Sequence, residues 1–184
     1  LLLTLISGCS PDTEKQTSTN QNWDTYLGDP GRSHYSHLSE ITRENVGQLA
    51  LAWTYDSGVM REGNSTMYTS PLVIDGVLYG LSPKLVAFAL DAATGEELWR
   101  SNYDGPGAAQ RGLMWWENGT DRRVIYPAGS ELIALNADTG QPSRTFGVNG
   151  RINLKPEDKE VPFFTSVPGV VFEDKLILGF STAE

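Results

Sequence analysis

Between Pro71 and Trp99 the apolar residues fall in short runs broken by turn residues, with none of the 3.6-residue spacing of an amphipathic helix. Leu72-Val73-Ile74 and Val77-Leu78-Tyr79 flank Asp75-Gly76, a strong signal for a two-residue hairpin. A third run, Leu85 to Leu90, leads into the turn residues Asp91-Ala92-Ala93-Thr94-Gly95, and a fourth ends at Trp99. The pattern predicts four antiparallel strands. One such sheet cannot bury both its faces, so sister sheets are expected against it.

A sister is present. Ile133 to Gly140 restates Phe88 to Gly95, and Thr94 and Thr139 lie 45 residues apart, within the ~40–50 expected of a four-stranded propeller blade. A third copy, Val167 to Gly179, matches Ser70 to Gly80 with two extra residues, its proline 97 residues after Pro71. The chain therefore reads as all-β, an incomplete β-propeller of two blades plus the start of a third. Propellers close with ~4–8 blades, so a longer protein is expected, cut at both ends.

Outside the repeat, Ser39 to Thr42 with Asn45-Val46 suits a short helical turn, and Leu49 to Tyr55 reads as a strand. Leu113 to Trp116 and Arg123 to Tyr126 read as strands around the Asn118-Gly119 turn. Phe146 to Lys159 reads as a long polar excursion before a third blade opening near Phe163.

Fourteen Lys and Arg against 23 Asp and Glu give a net charge of −9, with no basic stripe for nucleic acid. The single cysteine is Cys9, so no intrachain disulfide is available. Leu1 to Ile6 reads as the end of an apolar leader, and Ile6-Ser7-Gly8-Cys9 resembles a bacterial lipobox. That implies a lipidated Cys9 and a periplasmic protein anchored to a membrane of a Gram-negative bacterium. An ordinary signal peptide also sends the chain out of the cytoplasm. The expected division is a partial leader over 1–9, a disordered tether over 10–22, and propeller over 23–184. His34 and His37, three apart in a loop without clustered carboxylates, read as surface or packing residues.

Trp23, Gly28-Asp29-Pro30-Gly31, Tyr35-Ser36 and Ala52-Trp53 resemble the start of the bacterial quinoproteins, the pyrroloquinoline quinone (PQQ) dehydrogenases. Pro71 to Tyr79, Ala89 to Trp99 and Arg111 to Trp115 continue the resemblance. Phe146 to Ile152 is similar to the membrane-bound quinoprotein glucose dehydrogenase branch.

The resemblance implies an eight-bladed propeller with PQQ on its axis. The implied activity is oxidation of a sugar or alcohol hydroxyl, with electrons passed to a membrane quinone or a cytochrome. Residue by residue it implies that Arg111, Thr165 and Ser181 bind PQQ and that Glu184 binds Ca²⁺. A guanidinium suits carboxylate and quinone oxygens, and a hard cation wants carboxylate. The catalytic base belongs to later blades.

Two departures stand out. Alcohol-oxidising members carry adjacent cysteines where this chain has Gly105 to Ala109, which favours the sugar branch. Many relatives carry glutamate where Tyr68 stands. Two rivals stay open: a non-enzymatic lipoprotein propeller of the outer-membrane assembly type, and a quinoprotein that has lost its cofactor.

Overall fold

The structure, a computed structural model, describes residues 22–58, 66–103, 105, 108–155 and 163–182. The hairpin at Asp75-Gly76 forms because both residues take positive φ, 51° and 79°, the backbone that matches the twist of the flanking strands. It joins β1 (Leu72–Ile74) to β2 (Val77–Leu81), and β3 (Ala87–Asp91) and β4 (Glu97–Arg100) complete the sheet in sequence order. The second sheet repeats that order with β5 (Met114–Asn118), β6 (Asp121–Ala128), β7 (Glu131–Asn136) and β8 (Arg151–Asn153). The third copy forms two separate two-stranded ladders among the described residues, β9 (Phe163–Phe164) with β12 (Ser181–Thr182), and the hairpin of β10 (Val170–Phe172) with β11 (Lys175–Ile177).

The repeated turn has a chemical cause. Asp91 Oδ1 accepts from the Ala93 and Thr94 amides and the Thr94 hydroxyl at 3.0, 2.8 and 2.9 Å. Asn136 Oδ1 does the same with Asp138 and Thr139, at 3.1, 3.0 and 2.9 Å. An Asp or Asn side chain thus organises each turn from within. Gly95 and Gly140 end the two turns at φ +76° and +68°, where a Cβ would be strained.

Period-2 alternation sends one strand's residues into two cores. Val124 and Tyr126 of β6, with Ile133 and Leu135 of β7, pack against Leu72, Tyr79 and Leu81 of the first sheet. Ile125, Leu132 and Ala134 face the other way, against Val171 and Leu176 of the third. The middle sheet is therefore buried on both faces. Each buried Leu, Ile or Val among them contributes about 1.5–3 kcal/mol.

Three sequence expectations change. Leu49 to Tyr55 carries no strand and forms no ladder among the described residues. Its contacts are side-chain ones: Tyr55 stacks on Phe88 and Trp53 donates to the Ala92 carbonyl. The helical turn is a 3-10 turn at Val46–Gln48.

The outer strand of the second sheet is split. Leu135 bridges Pro142, whereas β8 pairs with Glu131 to Ile133. Pro142 has no N–H to extend the ladder. The chain leaves after Ser143, buries part of Phe146 in the second core, and returns at Arg151, so the expected polar excursion contains a strand.

The leader, with Cys9, lies outside the described residues, as does the tether except Asn22. Asn22 accepts from the Asp75 amide at 3.0 Å, and the next residue, Trp23, bridges Val73.

Candidate cofactor site

The segments that precede β1, β5 and β10 lie side by side. The Ser70 amide donates to the Arg111 carbonyl at 2.8 Å, and the Arg111 amide donates to the Ser166 carbonyl at 3.0 Å. Ser70 and Gly112 form a parallel bridge. One residue stretch from each of three successive sheets thus forms a common rim, the inner edge of the fan.

Arg111 sits in the middle of that rim. Its side chain is exposed, and among the described residues it has no ion-pair or hydrogen-bond partner. A guanidinium held on a rim without a carboxylate keeps its donors for an incoming anion.

Thr165 is on the neighbouring segment and is only 4 % exposed. Its hydroxyl donates to the Val167 carbonyl at 3.2 Å, and the exposed hydroxyl of this stretch is that of Ser166. Ser181 is exposed on β12 and pairs across the ladder with Phe164, the residue before Thr165.

Thr165, Ser166 and Ser181 line one cavity of about 460 Å³ that Arg32 also lines. Arg111 adjoins this cavity through its backbone bond to Ser166. The structure thus places Thr165 and Ser181 on one cavity and the Arg111 backbone beside it. Glu184 lies outside the described residues. Tyr68 is 58 % exposed and stands two residues before Ser70 of the rim.

Arg32 was not singled out in the sequence. It follows the Asp29-Pro30-Gly31 turn, where nothing local distinguishes it from a surface arginine. Its guanidinium lies over the Tyr26 ring at 5.4 Å, and Tyr26 packs against Gly112, where an added Cβ would come within 2.9 Å of the ring. Through Tyr26 the N-terminal segment presses on the residue after Arg111. Two arginines and the exposed hydroxyls of Ser166 and Ser181, the Thr165 hydroxyl being spent on the Val167 carbonyl, make a donor-rich set, and that chemistry fits a ligand carrying carboxylates and quinone oxygens.

The model for the PQQ family of the glucose/ethanol/alcohol dehydrogenase β-propeller domain matches residues 23–184. The chain is 30% identical over 183 residues to the quinate/shikimate dehydrogenase (quinone) of Acinetobacter baylyi, covering 81% of this chain and 23% of that protein. It is 25% identical over 206 residues to the quinoprotein glucose dehydrogenase of Escherichia coli, covering 98% and 26%.

Among solved structures, the quinohemoprotein alcohol dehydrogenase from Comamonas testosteroni superposes with a TM-score of 0.71 at 27% identity, covering 88% of this chain and 23% of that one. The chain spans about a quarter of the length of the curated relatives it matches. The sheets, their order and the matched residues agree: this chain belongs to the PQQ glucose/ethanol/alcohol dehydrogenase β-propeller family.

Proposed function

We propose that these 184 residues are the N-terminal part of a PQQ- and calcium-dependent dehydrogenase that oxidises a sugar or alcohol hydroxyl and passes the electrons to a quinone or cytochrome. The observation that carries the reading is the shared rim, where residues far apart in sequence meet on neighbouring segments: Arg111 beside Ser166, Thr165 and Ser181. In this reading Arg111 holds an anionic oxygen of the cofactor with its fork, the Ser181 hydroxyl orients a carboxylate, and Thr165 joins it only on releasing its bond to the Val167 carbonyl. Bound PQQ supplies a two-electron acceptor. Glu184 is assigned to Ca²⁺ and Cys9 to a lipid anchor on the periplasmic side of a membrane, both on family resemblance and the lipobox. The relatives named above are dehydrogenases, which favours an enzyme over a non-enzymatic scaffold.

The test uses the full-length protein loaded with PQQ and Ca²⁺. An artificial electron acceptor is supplied together with aldoses, simple alcohols and cyclic hydroxy acids such as quinate. Reduction of the acceptor by at least one class, lost on chelation and restored by Ca²⁺, is expected. No turnover with any class and no PQQ-induced rise in Tm would overturn the reading.

A further inference from the structure

Gln110 precedes Arg111 on the rim, and the two side chains have opposite surroundings. Arg111 is exposed, whereas Gln110 is 3 % exposed, its amide enclosed at the junction between the second and third sheets. Its Nε2 donates to the Thr165 carbonyl at 2.7 Å. The next amide along, that of Arg111, donates to the next carbonyl, that of Ser166, at 3.0 Å. Two consecutive carbonyls of one segment are therefore held by two consecutive residues of its neighbour. A single bond would leave the two segments free to pivot about it; two fix both slide and rotation.

On its other side the dipeptide is held to the first sheet. The Thr69 hydroxyl donates to the Gln110 carbonyl at 3.2 Å, and the Ser70 amide to the Arg111 carbonyl at 2.8 Å. Gln110 is the only side chain among these contacts that links the second sheet's rim to the third's.

The amide's other end is less well served. Among the described residues Gln110 Oε1 is buried with no hydrogen-bond partner. A buried acceptor without a donor costs stability, and an apolar side chain of the same size would remove that cost. The donor end is what distinguishes the amide from such a side chain here, because it fixes where Thr165 lies relative to the Arg111 fork.

We propose that Gln110 is a positioning residue of the cofactor site, clamping the Thr165-Ser166 segment so that the Arg111 guanidinium and the Ser166 and Ser181 hydroxyls meet the same anionic ligand. This inference rests on the cofactor reading above. Gln110 touches no ligand itself and acts by fixing where the Thr165-Ser166 segment lies relative to the Arg111 fork. Its contribution therefore depends on the planar, forked geometry of that arginine, which a lysine lacks.

The experiment titrates the full-length apo-protein with PQQ in the presence of Ca²⁺, followed by tryptophan fluorescence, and measures the Tm of each apo form. Gln110→Leu is expected to weaken PQQ binding by about tenfold or more while moving the apo Tm by less than about 3 °C. In an Arg111→Lys background the same Gln110→Leu change is expected to alter affinity by less than about twofold.

Wild-type affinity in Gln110→Leu would overturn the proposal. So would an equal loss in both backgrounds, since that marks two independent contributions. Should Gln110→Leu not fold, Gln110→Asn, one methylene short of the carbonyl, is expected to bind as weakly, and wild-type affinity in that variant overturns the proposal instead. A wild type that binds no PQQ removes the cofactor reading together with this inference. A wild type that binds PQQ, with an unaffected Gln110→Leu, removes only the inference.

Discussion

Trp99 donates its indole N–H to the Ala137 carbonyl at 2.8 Å, and its ring lies on Gly140, where an added Cβ would come within 2.4 Å of Cε3. The last strand of one sheet is thereby locked onto the turn of the next. Trp53 repeats the relationship with Ala92 at 3.3 Å and with Gly95. The interval between turns therefore also sets the interval between interlocks, which is why a 45-residue repeat in sequence becomes a regular fan in space.

Gly140→Ala in the full-length protein should cost about 2–4 kcal/mol, combining a strained positive φ with overlap against the indole. Trp99→Phe should cost about 1–2 kcal/mol by losing the bond to Ala137 and some ring area. Urea unfolding measures both. A Gly140→Ala loss no larger than that of Gly119→Ala, also at positive φ but with nothing within 4 Å, would mean that the stacking contributes nothing.

Arg111→Ala should weaken PQQ binding by about tenfold or more, whereas Arg144→Ala, an exposed arginine on the excursion before β8, should leave it unchanged. Arg100 would be a poor comparison. It bonds Glu97, the Tyr55 hydroxyl and the Ser57 carbonyl at 2.7, 2.8 and 2.6 Å, so its removal loosens the chain before β1. Equal affinities in the Arg111 and Arg144 variants would remove Arg111 from the site.

The Arg100 guanidinium, and after it the Tyr55 hydroxyl, hold the Glu97 carboxyl below its ordinary value of 4.5. A depressed carboxyl stabilises the fold above its unfolded pKa, and that contribution is lost as pH falls through the lower folded value. Acidification below about pH 4.5 should therefore lower Tm, and Glu97→Gln should flatten that limb of the profile. Thermal melts across the acid range check it; an unchanged slope in Glu97→Gln would assign the acid loss to other carboxylates.

Tyr79 packs between Trp99 and Trp115, ring centroids 6.0 and 5.6 Å away, and burial pushes its phenol up to about 12. The folded state retains the neutral phenol, so this stability is complete below about pH 10 and is lost as pH rises toward about 12. Tyr79→Phe should keep Tm higher than wild type across that alkaline window while changing it little near neutrality. Parallel alkaline losses in the two proteins would show that Tyr79 does not govern the limb.

What could be read from the chain alone was local or periodic. Asp75-Gly76 needs only two residues willing to take positive φ, and the Asp/Asn-x-x-Thr-Gly turn carries its own hydrogen bonds; each is specified by neighbours a few positions away. Repetition of those signals 45 residues apart was enough to reveal the sheets and their stacking.

Contacts across sheets had no such signature. The return of the chain at Arg151 depends on Phe146 finding the second core, and the importance of Gln110 depends on a carbonyl 55 residues downstream. Leu49 to Tyr55 alternates like a strand, but a strand also needs a partner to complete its ladder. The amino acids determined which turns and strands form because short-range sterics and side-chain bonds suffice for them. Only the tertiary structure decided which segments share the rim, because that follows from how three sheets pack at once.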